Sequence, residues 1–561
     1  MQFSKINKSS NSVASSAFIL ATSLLASRIL GLVRDRIFAS RFGAGIELDV
    51  YFAGFRIPDL VYSVIIGGAV SSAFIPVFIS HFTRNKKEAW DLARAFLYVV
   101  SVGIILVCGV MYFFMPSIMN LVVPGFSPEY KVLAVAMSRI MLLSPLFLSI
   151  SAVFSGVLHS FRKFFVYSLA PIFYNIGIIV GALFFTPRMG IFGLAWGVAL
   201  GAFLHLLVQV PASMGAGFSL GWPRKIFSKG FRRIMSLMLP RAFGLGANQV
   251  NLWVITAIAS TLSVGSLTIF NLANHLQYLP IGIIGISFAT AVFPSLSQAL
   301  SDKKYKEYLR ELSRTLRTVF YLVVPLSVLL FILRAQIVRI VLGTGQFGWE
   351  ATQLTAASLG AFTLGIVSYA LMPVLARAFY AQENTKTPVI ANMIGIAVNI
   401  FLSFLLIYVI FPQEGILKFI GGVLKINNLP SISTIGLPIA FSLSGIVAFA
   451  LLIGLFLREE RNRIISKELH HAFWRILLVS VASGFVAWFM LQIFVLFSST
   501  NTFIAIFLQA LFAGGVALAV YFILSYLFKF EEFFILHSFV RRVFPLREAP
   551  IVTPDDTSGE I

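Results

Sequence analysis

"LLASRILGLVRDRIFASRFGAG", residues 24–45, is an apolar run set with Arg28, Arg34 and Arg36, with Asp35 between the last two. An ionised group in the middle of a membrane helix costs roughly 2.5–3.5 kcal/mol on insertion scales, so each of these residues demands a partner or a purpose. The rest of the chain makes the run a membrane helix. Of its 561 residues, 58% are hydrophobic and 12% charged, and the mean hydropathy is +0.91. A soluble chain of this length needs far more polar surface to cover its core. Apolar stretches of roughly 20 residues or more recur from end to end, which makes this an all-α polytopic membrane protein. Residues 1–12 are polar and no convincing cleavage site follows, so the first apolar run is expected to stay as an anchor.

Fourteen spans are expected, at 13–37, 49–81, 89–114, 133–158, 166–186, 190–211, 233–262, 266–300, 315–341, 351–381, 388–411, 433–457, 471–497 and 503–528. Several exceed the ~20 residues needed to cross, so they tilt, kink or project. Lys and Arg number 27 on the N-terminus, the even-numbered connections and the C-terminus. They number 5 on the odd connections: Arg41, Lys131, Arg188, Lys418 and Lys425. This asymmetry puts both termini in the cytoplasm. The net charge of +21 is therefore a topology signal and a docking surface for anionic lipid rather than for nucleic acid. Cys108, the only cysteine, lies in an apolar run, which excludes an internal disulfide and a Cys-ligated metal site.

Two segments outside the spans are distinctive. Residues 412–432 include "EGILKFIGGVLK", whose apolar residues suit a membrane surface. The tail from 529 begins amphipathic and ends polar, so its last dozen residues are expected to be disordered.

The second and eighth spans look alike at an offset of 218: Phe52 meets Phe270, Gly67 meets Gly285, Ala73 meets Ala291 and Pro76 meets Pro294. A weaker echo joins Pro171 and Asn175 to Asn399. Chance among apolar helices is one account. The other is two pseudo-symmetric six-helix lobes around a central cavity, 1–230 and 231–465, with two extra C-terminal helices in 466–528 and a cytoplasmic tail at 529–561.

The interior charges lie early in the chain and lean positive. In the third to fourteenth spans only Asp91, at an edge, is a candidate for burial. The other membrane carboxylates are Asp35, Asp49 and Asp59, against Arg28, Arg34, Arg36 and Arg56. Arg34 and Arg36 could snorkel while pairing with Asp35, but Arg28 lies mid-span. On a straight helix Arg28 and Asp35 share a face and Arg34 points about 120° away. In "FRIPDL", Pro58 should break or kink the helix between Arg56 and Asp59. Arg377 suits headgroup contact or a helix cap, and Arg139 and Arg241 are ambiguous. An arginine-lined cavity suits an anionic, phosphate-bearing cargo, since the guanidinium fork gives two hydrogen bonds to one group. A cation exporter should show more carboxylates.

The segments "SRILGLVRDRIFASRFGAG", "DVYFAGFRIPDL", "GAVSSAFIPVF", "LPIGIIGISFATAVFPSLS" and "LARAFYAQENTKTPV" resemble the lipid II flippases, the MurJ or MviN family of the multidrug/oligosaccharidyl-lipid/polysaccharide exporter superfamily. The resemblance runs over about 15–460. It implies two lobes in a V, alternating access, and transfer of an undecaprenyl-pyrophosphate-linked peptidoglycan precursor across a bacterial plasma (inner) membrane. It further implies that the last two spans form a groove for the lipid tail. By the resemblance, Arg28 and Arg34 match two cavity arginines and Asp49 an acidic residue of the second span. The second-span arginine falls at Tyr62 here, and the eighth-span arginine at about His275, which can carry charge beside a pyrophosphate. The site expected for cargo is thus Arg28, Arg34, Arg56, His275 and Tyr62, with Asp35 and Asp49 serving ion coupling or structural pairing. The expected partners are a lipid-linked anionic substrate and membrane lipids, with cell-wall synthesis proteins as candidates. No cofactor or metal is expected, and the oligomeric state is left open.

Two other readings compete. A cation-coupled multidrug antiporter of the same superfamily would use Asp35 or Asp49. A membrane-embedded enzyme needs positioned acids or bases; the seven histidines are scattered, and no nucleophile elbow or phosphate loop is present.

Overall fold

The structure, a computed structural model, describes residues 13–65, 73–413, 415, 421–422, 432–459, 462, 464–497 and 502–543, without the side chains of 13–21, 65, 239–245, 464–465 and 538–543. Gly67 of the repeat, Arg241, most of the 412–432 segment and the polar end of the tail lie outside this description.

In lipid every backbone polar group must be satisfied within the protein, and a long apolar chain does this by forming helices. In chain order they are α1 Val13–Phe42, α2 Ile46–Ile65, α3 Ile75–Arg84, α4 Lys86–Val122, α5 Pro128–Met141, α6 Leu143–Ser160, α7 Phe164–Val180, α8 Phe192–Met214, α9 Lys229–Ser260, α10 Ser266–Pro280, α11 Ser287–Ser301, α12 Tyr305–Ile332, α13 Arg334–Val341, α14 Trp349–Ala381, α15 Lys386–Phe404, α16 Gly436–Leu457, α17 Ile464–Phe497, α18 Phe503–Leu527 and α19 Glu531–Val543. No strand occurs among the described residues. Among the described residues, eleven helical segments are long and apolar enough to cross a membrane. The first, second and seventh expected spans fall instead on α1, on α2 with α3, and on α9, which are not among those eleven.

Two local features depart from the expectations. Pro58 lies inside α2 without ending it. The helix there is braced by a close neighbour: a Cβ on Gly54 would meet Met137 and the Ala134 carbonyl of α5 at 3.5 Å. π-Helical stretches also occur, among them Gly181–Phe185, Ile281–Ile286 and Leu405–Ile410. Pro280, just before the second, has no N–H for the carbonyl four residues earlier, which favours the shift in hydrogen-bond register that follows.

Packing divides the molecule unevenly. One hydrophobic core takes residues from both halves of the chain: Phe38, Leu48 and Tyr51, then Met115, Met119 and Leu194, then Ile255, Phe270, Leu342 and Phe362. All lie at the end where α1 finishes, hereafter the closed end. At the opposite end the cores are separate. Phe74, Phe78, Phe96 and Phe154 cluster in the N-terminal half with Phe231 and Ile234 from the start of α9. Leu312, Tyr321, Leu375 and Phe456 cluster in the C-terminal half. Helices α7 and α8 touch backbone to backbone because Gly177 and Gly181 face Gly201 and Gly197, the small-residue spacing that membrane helices use to approach closely. The tail begins as expected, with α19 docked by an Arg317–Glu531 ion pair of 2.7 Å.

The closed end depends on tight loops. Gly265, before α10, has φ of +88°, and a Cβ there would collide with the Ala44 carbonyl of the other half. Gly265→Ala should therefore destabilise the protein by about 1–2 kcal/mol from the left-handed backbone alone and lower its melting temperature in detergent. Gly31→Ala, where a Cβ meets nothing within 4 Å, should leave the melting temperature unchanged or raise it.

Candidate functional site between the two halves

Along α10 and the π-helical stretch that follows it, Gly265, Thr268, Asn271, His275, Tyr278 and Gly282 recur every three or four residues, which is one face of a helix. Each meets a residue from the N-terminal half. Nearest the closed end, the Asp49 carboxylate of α2 accepts hydrogen bonds from the Gly265 N–H (2.7 Å), the Thr268 N–H (2.7 Å) and the Thr268 hydroxyl (2.6 Å). It is buried and caps α10, where the free N–H groups and the helix dipole favour an anion.

Farther along, Arg56 donates through Nε to Thr256 Oγ1 of α9 and through Nη2 to Asn271 Oδ1, both at 2.7 Å. Its hydrogen-bond partners are neutral. Next, Asp35 joins the halves. Its Oδ1 accepts from Arg34 Nε and Nη2 at 3.0 and 2.8 Å, and its Oδ2 lies 2.9 Å from His275 Nδ1. Asp35 is buried, the Arg34 side chain is 18% exposed and that of His275 is 35% exposed. Arg34 Nη1 also donates to Asn175 Oδ1 of α7 at 3.3 Å.

Arg28 is the outermost member. It is exposed, its guanidinium lies 5.7 Å from the Tyr278 ring centroid, and a Cβ on Gly282 would meet its Nη2 at 3.3 Å. It forms no ion pair among the described residues.

The structure thus brings Arg28, Arg34, Asp35 and His275 together, with Arg56 and Asp49 nearer the closed end. Tyr62 packs half-buried against the N-terminal half's own core and makes none of these contacts among the described residues. Arg36 does not pair with Asp35 and does not snorkel alone. It donates to the Ile340 carbonyl and lies 5.1 Å from the Phe503 ring centroid, fastening α1 to α13 and α18. Arg377 stacks on Phe293 and Tyr380.

Asn175 was legible only as a weak repeat, and the partners Thr256, Thr268 and Asn271 not at all, although polar residues at helical spacing in an apolar span were the available signal. The repeat has a geometric counterpart. Asn175 Nδ2 approaches Ser27 Oγ at 3.4 Å and Asn399 Nδ2 donates to Asn251 Oδ1 at 2.8 Å, and the two pairs have the same separation of 148 residues. A cavity of about 70 Å³ beside the second pair is lined by Asn248, Asn251, Asn392, Tyr369 and Ser444, with no carboxylate among its lining residues. No cluster of His, Cys, Asp or Glu suited to a metal occurs among the described residues.

Two halves sharing a core at one end, with a charged seam between them, define a polytopic transporter of the two-lobed exporter type. A solved multidrug resistance MATE family transporter of the MOP superfamily, in its inward-facing conformation, has the same fold: TM-score 0.63 over 79% of this chain and 96% of that one, at 14% identity. The model of the family described as Lipid II flippase MurJ matches residues 38–514, and the chain belongs to that family. A probable lipid II flippase MurJ of Buchnera aphidicola is 33% identical over 399 residues, covering 70% of this chain and 78% of its own length. The lipid II flippase MurJ of Burkholderia cenocepacia is 30% identical over 422 residues, covering 72% and 80%. A solved lipid II flippase MurJ in an inward closed conformation superposes with a TM-score of 0.72 at 27% identity, over 91% of this chain and 98% of that one.

Asp35→Asn should cost about 3 kcal/mol, because it strands a largely buried guanidinium. His275→Ala should cost about 1 kcal/mol, since Asp35 keeps Arg34. Thermal melting of the two variants in one detergent measures the order.

Proposed function

We propose that this chain carries the undecaprenyl-pyrophosphate-linked peptidoglycan precursor, lipid II, from the inner to the outer leaflet of a bacterial inner membrane by alternating access. The observation that carries the reading is Arg28, exposed at the edge of the seam with no carboxylate, above Arg34 and His275. With residues 1–230 and 231–465 as lobes and both termini in the cytoplasm, the closed end faces outward and Arg28 is approached from the cytoplasmic side. The last two long helices, in 466–528, offer the surface for the lipid tail. The work is binding and rocking, with no bond made or broken.

The seam gives a reason for the cycle to depend on cargo. A pyrophosphate beside Arg34 and His275 competes with Asp35 for the same donors. It thereby weakens the mid-depth link between α1 and α10, one of the two ties between the halves. A ligand shifts such an equilibrium only through its differential affinity for the two states, and this competition supplies one. A cation-coupled antiporter fits less well: both oxygens of Asp35 and of Asp49 already accept hydrogen bonds, and the polar cavity of the C-terminal half is lined by neutral groups.

In a bacterial host depleted of its resident lipid II flippase, the chain should restore precursor accessible at the outer leaflet. Arg28→Ala, present in the membrane at equal amount, should lower that signal by about tenfold, the loss of one charge-assisted contact. No rescue by well-inserted protein would move the cargo to another lipid-linked glycan. Rescue by Arg28→Ala at full strength would remove Arg28 from the cargo site.

A further inference from the structure

The N-terminal half carries another cation apart from the seam, Arg139 of α5. Pro145 cannot donate to the Met141 carbonyl, and the helix is interrupted at Leu142 between α5 and α6. The Leu142 carbonyl accepts from the Cys108 thiol of α4 at 3.7 Å. Beside this break lies an open groove of about 600 Å³ between α4, α5 and α6, apolar along most of its length. Its size falls within the ~300–1,000 Å³ of ligand pockets.

One end of the groove is polar. Arg139 donates through Nε to the Tyr112 carbonyl at 3.1 Å, and its guanidinium lies 4.5 Å from the Tyr112 ring centroid. Its two terminal nitrogens have no hydrogen-bond partner among the described residues. By the expected spans, Tyr112 lies at the edge of one membrane segment and Arg139 about 9 Å inside the next, toward the closed end. On a helix that starts at that end the Arg139 side chain leans back toward the start, which brings its guanidinium to Tyr112, near the level where aromatic rings gather at the membrane surface. From there the groove runs into the membrane along Cys108 and Leu146.

We infer that this groove holds one anionic phospholipid of the leaflet at the closed end. Its phosphate takes the free edge of the Arg139 guanidinium, which can give it two parallel hydrogen bonds. An acyl chain lies along the apolar floor opened by the break at Leu142. A zwitterionic lipid brings the same phosphate with a cation attached, so charge complementarity selects the anionic kind. The inference rests on the membrane reading of the chain and not on the cargo, since the groove lies apart from the seam.

The test is native mass spectrometry of the full chain exchanged into detergent and titrated with phosphatidylglycerol or phosphatidylcholine. A Cβ on Gly109 meets nothing within 4 Å, so Gly109→Trp fills the groove without displacing backbone. Arg139→Gln removes the charge, and Lys131→Gln removes a charge near the same end outside the groove. Wild type should retain one phosphatidylglycerol about tenfold more strongly than phosphatidylcholine. Arg139→Gln should lose the preference, Gly109→Trp should lose the adduct, and Lys131→Gln should keep both. No preference in the wild type, retention in Arg139→Gln or Gly109→Trp, or an equal loss in Lys131→Gln would overturn the site.

Discussion

A charge inside a membrane must be held by partners, and in this protein the partner of one half's charge is on the other half. Asp35 is buried between Arg34, its neighbour on α1, and His275 on α10. A carboxylate in that position cannot be left alone, because the desolvation cost of an unpaired buried charge is several kcal/mol. The two halves are thus tied by electrostatics at mid-depth and by a common apolar core at the closed end. The first tie is exchangeable and the second is not specific to any ligand. On the proposed function, that division would let an anionic cargo act on the first without having to overcome the second directly.

The fold was legible because composition and periodicity act on the whole chain. Unbroken apolar runs leave few alternatives to membrane helices, and the "SRILGLVRDRIFASRFGAG" motif carried the family. What stayed hidden was pairing across distance. Asp49 reads as a carboxylate for ion coupling or for structural pairing, and the partner is seen only once α10 is found to start on top of it. Arg36 reads as a partner of Asp35 because the two are adjacent, yet the helix turns it toward Ile340 and Phe503. Pro58 reads as a break or a kink because proline removes a hydrogen bond, yet the helix runs on through it beside the close contact of Gly54 with α5. In each case the missing information was the neighbour and not the residue.

The two halves solve one packing problem with different chemistry. The pairs Ser27–Asn175 and Asn251–Asn399 have the same sequence separation and each joins an early helix of its half to a later one. In the N-terminal half the same asparagine also steadies Arg34. In the C-terminal half the surroundings are amides and hydroxyls. Charge is concentrated on one side of the pseudo-symmetry, and the seam is correspondingly lopsided: Arg28, Asp35, Asp49 and Arg56 from α1 and α2 meet a stripe on α10 that carries no carboxylate, lysine or arginine.

That stripe has a kinetic consequence. Its members, from Gly265 to Gly282, sit on a single face of one rod and touch groups from α1, α2 and the turn between them, so a modest roll of the rod breaks all of them together. Such a seam does not unzip contact by contact. It behaves as a bistable catch, with sparsely populated intermediates, and the π-helical stretch at Ile281–Ile286 is where the rod's register is already loosened. Partial opening of such a seam gives up buried hydrogen bonds and gains none in return.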